Sequence, residues 1–496
     1  MNTQELLHSA VPHWQAGRLE DARSCFQKAL AGSPENFDAL HLLGVLEHKL
    51  GQVSRAQELI TKALSINPGF PDAHYNLAKV LEDQGRLQEA AISYEKAVSL
   101  EPGLDIGHFN LALIHLRLGH LDKAVSSLQK AIAINPNDPD YHFNLGGALK
   151  SLDNAASAIA CYQAAIRLNP ENPAAHNNLG IVFRESEKYD RAIASYRQAI
   201  KIDPDYADAH FNLANAYDET GQLNEAVSSY LKAIAIQPGL VKAYNNLANG
   251  YYKMGEDDKA MAAYQKAVDL DPASVSARHM LNSLKGTTTE TAPIQYVENL
   301  FDKAAEDFEN RLVNDLKYNS PQELRTLLNE LLGKEPHFQN AIDLGCGTGL
   351  SGQQFRAVSE CLTGVDISSK MIDAAKRKNS YDALEVGEIL NFLTQSPETY
   401  DLFVAADVLA YFGNLVPLFA EVRRKAMRGA YFLFTIEDLE KGDYLLRKTG
   451  RYCHSRDYIE KLAAENQFAI ASCQPTVIRM ENDRPIAGKN YILKLR

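Results

Sequence analysis

Asp343, Gly345, Gly347 and Gly349 stand at alternate positions directly after the apolar pair Ala341-Ile342. Glycine is needed where a chain must turn sharply and let a ligand come close, because a Cβ blocks both. A second acid, Asp366, closes the apolar run Leu362-Thr363-Gly364-Val365 and lies 21 residues past Gly345. A carboxylate there can accept from two neighbouring hydroxyls at once. Strand, glycine turn, helix and an acid at the next strand's end is how open α/β sheets hold nucleoside-like ligands. A dinucleotide turn wants Gly-x-Gly-x-x-Gly. Leu350 stands where its third glycine would be, which speaks against a nicotinamide enzyme.

The spacing Asp343-x-Gly345-x-Gly347-x-Gly349 resembles motif I of the class I S-adenosyl-L-methionine (SAM)-dependent methyltransferases. The resemblance implies that Asp343, Gly345, Cys346, Gly347 and Gly349 surround the methionyl part of the cofactor and that Asp366 grips its ribose. It implies that Ile367 and Met371 pack on the adenine and that Ala406 belongs to the same set. Family members often carry Gly-Asp where this chain has Gly387-Glu388, so Glu388 takes the place of the acid near the adenine amine. On the acceptor side the candidates are Asp407 and Tyr411, Glu437 and Asp438, and Tyr452 with His454. Methyl transfer from a sulfonium is an in-line displacement, so alignment carries most of the catalysis, roughly 7–11 kcal/mol when it is good. A base helps only for an alcohol, phenol, protonated amine or acidic carbon. No Asn-Pro-Pro-Tyr or Asp-Pro-Pro-Tyr follows the fourth strand, where amino-nitrogen methylases of nucleic acids and glutamine carry it.

The elements that must position these residues alternate in type. Strands are expected at Ala341-Ile342, Leu362–Asp366, Leu384–Glu388, Tyr400–Asp407 and Gly429–Thr435, with a last pair at Phe468–Ser472 and Asn490–Leu495. A helix is expected from Ser455 to Asn466. This pattern fits an α/β, Rossmann-like, seven-stranded methyltransferase sheet over 294–496. Before it, Ile294 to about Tyr318 shows apolar residues at helical spacing (Val297, Leu300, Phe301, Ala304, Phe308, Leu312, Leu316) and resembles the family's lid helices. Gly286 to Pro293 is small, polar and bounded by Gly and Pro, so it reads as a linker.

The first half is an array. Prolines stand at 34, 68, 102, 136, 170, 204, 238 and 272, always 34 residues apart. Alanines keep the same step from Ala22 and from Ala29, and a large side chain recurs from Phe26 to Tyr264. This period and pattern resemble the tetratricopeptide repeat (TPR), in which each unit is a helix pair that buries its apolar face only by stacking on its neighbours. Eight units and a closing helix are expected over 1–285, making the fold an all-α TPR solenoid followed by the α/β domain. Histidines recur at 74, 108, 142, 176 and 210 but fall on separate units, which points to packing at the helix-pair seam rather than to a metal. Asn76, Asn110, Asn144, Asn178, Asn212 and Asn246 form a second ladder. Each amide can donate and accept, so the row serves either a peptide groove on the concave face or the scaffold itself.

Composition fits this division. With 496 residues, 45% hydrophobic and 23% charged, the chain has room for two or more soluble domains. A formal net charge of −12 argues against a general nucleic-acid or anionic-membrane binder. The six cysteines form no CxxC or zinc-like spacing, no signal peptide is evident, and no run of eighteen apolar residues exists, so a cytoplasmic protein without metal or membrane span is expected. As a whole the chain resembles the bacterial family of TPR-containing methyltransferases. That resemblance implies a SAM-dependent enzyme whose array recruits a protein or carrier-bound substrate. The alternative is an interaction scaffold whose methyltransferase-like domain is catalytically inactive.

Overall fold

The computed structural model describes residues 2–304, 317–333, 335–481 and 484–496. The chain divides into two compact units, Met1–Pro238 and Gly239–Arg496. The boundary therefore falls within the repeat array, one helix pair and the closing helix before the stretch that composition marks as a linker.

The first unit is seven helix pairs. They are α1 (Thr3–Gln15) with α2 (Leu19–Gly32), α3 (Phe37–Lys49) with α4 (Val53–Ile66), α5 (Pro71–Asp83) with α6 (Leu87–Leu100), and α7 (Asp105–Arg117) with α8 (Leu121–Ile134). The remaining three are α9 (Pro139–Ser151) with α10 (Ala155–Leu168), α11 (Pro173–Glu185) with α12 (Tyr189–Ile202), and α13 (Ala207–Glu219) with α14 (Leu223–Ile236). The small residue in each first helix is there for the large one in the second. A Cβ on Gly44 would stand 2.6 Å from Ile60, and one on Gly180 would stand 2.6 Å from the Tyr196 ring. Each second helix stops two residues before its proline, which cannot donate an N–H and disfavours helix in its predecessor. The turn inside each pair needs a left-handed residue. Gly51 and Gly119 supply it with φ of +75°, whereas Asp153 and Glu187 hold the same phase at φ 55° and 57°.

Both polar ladders are tied into the array. The Nε2 atoms of His74, His108, His142, His176 and His210 lie 2.9–3.2 Å from the carbonyls of Pro68, Pro102, Pro136, Pro170 and Pro204, six residues back. Each ring thus fastens a repeat to the loop before it. The half-buried asparagines reach backwards too: the Asn76 amide contacts His41 at 3.1 Å, Asn110 donates to Tyr75 at 2.8 Å, and Asn212 donates to Asn177 at 3.0 Å. Asn144 donates to the Asp140 carbonyl, Asn178 accepts from Asn177, and Asn246 is also engaged.

The second unit opens with the last pair, α15 (Val241–Lys253) and α16 (Asp257–Leu270), and the closing helix α17 (Val275–Lys285). There follow α18 (Ile294–Ala304), α19 (Ser320–Leu332), β1 (Phe338–Leu344), α20 (Leu350–Phe355), β2 (Ser359–Asp366), α21 (Ser369–Lys376), β3 (Ala383–Val386) and α22 (Ile389–Gln395). Next are β4 (Tyr400–Ala405), α23 (Val416–Lys425), β5 (Ala426–Leu439), β6 (Tyr444–Leu446), β7 (Tyr452–Ser455), α24 (Arg456–Glu465), β8 (Phe468–Glu481) and β9 (Arg484–Leu495). Of the expected lid region, Phe308, Leu312 and Leu316 lie outside the described residues.

The strands join one sheet. β3, β2, β1, β4 and β5 run parallel in that order, β9 pairs antiparallel with β5, and β8 lies outside β9. These are the seven expected strands. The sheet is covered on both sides, as parallel sheets require. Ile342, Phe403 and Phe432 point into one apolar cluster, and Ala341, Leu402 and Tyr431 into the other. The structure adds two strands. β5 runs on to Leu439 after β4 has ended, and at Glu437 it pairs with Gly488 of β9 and Cys453 of β7 at once. A strand has two edges, so β7 takes the one that β4 leaves, and β6 pairs with β7. Strands of three and four residues such as these are too short to carry a periodic signal.

The stretch read as a linker is an ordered strap. Glu290 accepts from the N–H groups of Gly413 and Asn414 at 2.9 and 2.7 Å, Ala292 donates to the Tyr411 carbonyl at 3.0 Å, and Thr289 shares a 2.5 Å hydrogen bond with Tyr452. Its polar composition marks hydrogen bonding to the loop after β4 rather than freedom.

Candidate functional site

The turn after β1 holds three glycines in the left-handed region, Gly345 at φ +75°, Gly347 at +52° and Gly349 at +90°. Their surroundings differ. A Cβ on Gly345 would stand 2.5 Å from Val408, and one on Gly349 would stand 3.2 Å from Tyr381, but one on Gly347 would meet nothing within 4 Å. Gly347 is thus the point of the turn that stays open to a ligand. Its N–H donates to Asp366 Oδ2 at 2.9 Å, while Ser368 N–H donates to Oδ1 at 2.9 Å. Each oxygen keeps a lone pair for a further donor. Burial pushes the Asp366 carboxyl up, opposed by these N–H groups and reinforced by Asp302. Asp302 of α18 itself takes a 2.5 Å hydrogen bond from Ser368.

Asp343 sits at the end of β1, 1% exposed. Its Oδ2 accepts from the Tyr381 hydroxyl at 2.7 Å, and its Oδ1 has no partner among the described residues. Burial pushes this carboxyl up to about 7; the Tyr381 hydrogen bond pulls against that and Asp366 adds to it. Of the other cofactor-side residues, Met371 and Cys346 are buried, Ile367 is half-buried, and Ala406 accepts from Tyr318 through its carbonyl. Glu388 is the N-cap of α22, and its two oxygens accept from Leu390 and Asn391 N–H.

Of the candidates expected on the acceptor side, Asp407, Tyr411 and Glu437 come together around a residue the sequence did not single out. Arg451 donates from Nε to Glu437 at 2.7 Å, from Nη1 to Tyr411 at 2.7 Å, and from Nη2 to Asp407. Arg479 of β8 adds a 2.9 Å hydrogen bond to Glu437. Two carboxylates and two guanidinia therefore balance in a buried cluster. Burial pushes Glu437 up, but Arg451 and Arg479 more than offset it and hold its carboxyl below the ordinary range. For Asp407 burial prevails over the same two partners and its carboxyl is raised. Asp407 also adopts φ 57°, a strained conformation for a non-glycine residue, with its N–H donated to Thr435 Oγ1 at 2.7 Å. Tyr452 joins the apolar cluster of Ala292, Tyr411 and Leu446, its hydroxyl on Thr289. His454 faces the Gly413 carbonyl at 3.1 Å, and burial pushes its imidazole down to about 4, so it is neutral near pH 7. Asp438 pairs with Lys489. Among the described residues no group of His, Cys, Asp and Glu could hold a metal, and no helix is long and apolar enough to cross a membrane.

Comparison with known proteins finds matches to both parts of the chain. A family model described as "Methyltransferase domain" matches residues 342–434. Models described as TPR or tetratricopeptide repeat match 13–62, 49–105, 116–153, 154–185, 182–221, 215–255 and 241–274. A curated relative, malonyl-[acyl-carrier protein] O-methyltransferase of Erwinia pyrifoliae, is 29% identical over 121 residues, 24% of this chain and 46% of that protein. The chain thus spans about half the length of that relative. Among solved structures, a TPR repeat-containing protein from Cytophaga hutchinsonii is 19% identical at a TM-score of 0.42, covering 49% of this chain and 98% of that one. YrrB, titled a TPR protein with an unusual peptide-binding site, is 24% identical at a TM-score of 0.34, covering 37% and 95%. TPR repeats and a methyltransferase domain are thus both identified on one polypeptide.

Proposed function

We propose that the protein is a SAM-dependent methyltransferase and that its array recruits the protein or carrier-bound group to be methylated. The observation that carries this reading is the buried, unpartnered Oδ1 of Asp343 at the head of the turn that leaves Gly347 open. A carboxylate oxygen without a partner costs about 1–3 kcal/mol or more when buried, and an ammonium group relieves that cost. An α-amino acid joined to a nucleoside fits this set of residues: Asp343 takes the amino group, the bare turn Gly345 to Gly349 admits the chain, and Asp366 takes the ribose hydroxyls. Ile367, Met371, Glu388 and Ala406 complete the adenine side. When bound, the cofactor supplies an activated methyl group on a sulfonium.

The chain's own task is then to exclude water and orient the acceptor. In this reading the orienting role falls to Asp407, just past the carboxyl end of β4 and held by Arg451 and Thr435. Its raised carboxyl keeps more basicity than a surface aspartate has, which suits an oxygen acceptor such as the relative's name describes. Tyr411 and Glu437 fix Arg451 behind it, and Tyr452 and His454 support the wall. The asparagine row from Asn76 to Asn246 is half-buried, and its amides retain capacity for an extended peptide.

Calorimetry tests the reading. SAM binds the full chain in the micromolar range, and Asp366→Ala weakens it by more than about tenfold, a loss of about 1.4 kcal/mol. No saturable heat with SAM would leave the scaffold alternative. Capture of partners on the full chain, followed by radiolabelled-methyl transfer onto them, then names the acceptor.

A further inference from the structure

Tyr381 lies in the polar stretch Asn379-Ser380-Tyr381-Asp382 before β3, where nothing in the sequence marks it. The structure gives it an unusual setting. Its hydroxyl donates to Asp343 Oδ2 at 2.7 Å and accepts from Gly352 N–H at 2.9 Å. Its ring lies where three glycines make room. A Cβ would stand 3.2 Å from the ring at Gly349, 2.4 Å at Gly352 and 2.9 Å at Gly364. These glycines come from the ligand turn, from α20 and from β2, so three elements are kept bare on the sides that face one phenol. Burial, with Asp343 next to it, pushes the hydroxyl well above its ordinary range, so the phenol stays a donor.

We infer that Tyr381 is a positioning residue: by engaging one oxygen of Asp343 it reserves the other, Oδ1, for the ammonium group of an amino-acid-bearing nucleoside. The inference rests on the cofactor reading above and deepens it. A carboxylate at the end of a strand has rotational freedom about its last bond, and two equivalent oxygens can exchange roles. A fixed donor on one of them removes that exchange. It also opposes protonation of a carboxyl that burial makes easy to protonate near neutral pH. The other titratable groups around Asp343 are Asp366, Cys346 and Tyr318, and none of them is a cation.

Two ligands and a pH series separate this role from packing. Tyr381→Phe keeps the ring in its slot and removes only the hydroxyl. Wild-type affinity for SAM, followed by calorimetry from pH 5.5 to 7.5, rises as Asp343 loses its proton and flattens towards the upper end. Over this range the ligand's α-amino group, with a pKa near 8, stays charged. Tyr381→Phe lowers SAM affinity about tenfold at pH 7 and moves the rising limb to higher pH. It leaves 5′-methylthioadenosine, which has the nucleoside but no amino group, within about twofold of wild type. In an Asp343→Asn background the substitution at Tyr381 has little further effect on SAM. Equal weakening of both ligands at every pH, or an unmoved limb, overturns the inference while leaving the cofactor reading in place. A wild-type chain that binds 5′-methylthioadenosine but not SAM, or neither, overturns both.

Discussion

Arg451 has every nitrogen of its guanidinium occupied inside the protein, one each on Glu437, Tyr411 and Asp407. A planar fork is what this geometry needs, and no other side chain offers three donors so arranged. Removing one partner of a buried ionic group costs more than the pair itself contributes, because a charge is left without a counterion. Arg451→Met should therefore destabilise the second unit by about 3–5 kcal/mol, with Arg451→Lys falling between it and wild type. Urea unfolding followed by tryptophan-independent circular dichroism measures this. A loss under about 1 kcal/mol would show that Arg479 alone can neutralise both acids. The two carboxylates were legible as acids at strand ends, and so was the pair Asp343 and Asp366. The guanidinia were not, because Arg479 lies 42 residues from Glu437 and reaches it only through the pairing of β8 and β9 with β5. Tyr381 was silent for a similar reason: its meaning lies in the glycines around it.

At the scale of the element, the turn after β1 separates two jobs that the repeated Gly-x-Gly spelling runs together. Gly345 is filled from behind by Val408, whereas Gly347 is open. Gly345→Ala should lower stability by several kcal/mol through both strain and overlap, as overpacking and an unfavourable φ combine. Gly347→Ala should cost only the left-handed backbone, about 1–2 kcal/mol, yet weaken SAM by more than about tenfold. Thermal melts beside ligand titrations of the two variants check the contrast, and the reverse pattern would mean that the ligand approaches elsewhere. The strands of the main sheet could be read from alternating apolar runs and helices. The extension of β5 and the pair β6 and β7 could not, since residues such as Glu437 and Asp438 look like loop acids until β7 is seen beside them.

For the whole chain, the 34-residue period made the repeats readable almost residue by residue, because each unit solves the same packing problem. The periodic proline and alanine steps say nothing about which unit a repeat joins. The last pair and α17 fall in the second unit, and contacts there explain why. His279 faces the Gly450 carbonyl at 2.8 Å, Ser283 donates to the Lys448 carbonyl at 3.3 Å, and Lys448 pairs with Asp257 at 2.6 Å. Met280 and Tyr296 lie over Gly450, one residue before Arg451. A fragment of residues 239–496 should accordingly unfold in one cooperative step and bind SAM. A fragment of residues 294–496, cut at the apparent domain start, should melt at least about 5 °C lower and be cleaved faster by protease near Lys448. Equal melting of the two would return the boundary to the strap.

The strap has a bearing on how such a protein can diverge. Gene duplication adds or deletes repeats in whole units, and an array absorbs such changes where a unit touches only other repeats. Here the final pair is joined through 287–293 to the loop that carries Tyr411. Copies can accumulate or vanish upstream of Pro238 while the second unit keeps its own internal contacts. Any gain or loss of a unit after that residue would have to rebuild the loop that carries Tyr411. Descendants of this architecture should thus vary in length at the amino-terminal side and keep one fixed terminal repeat.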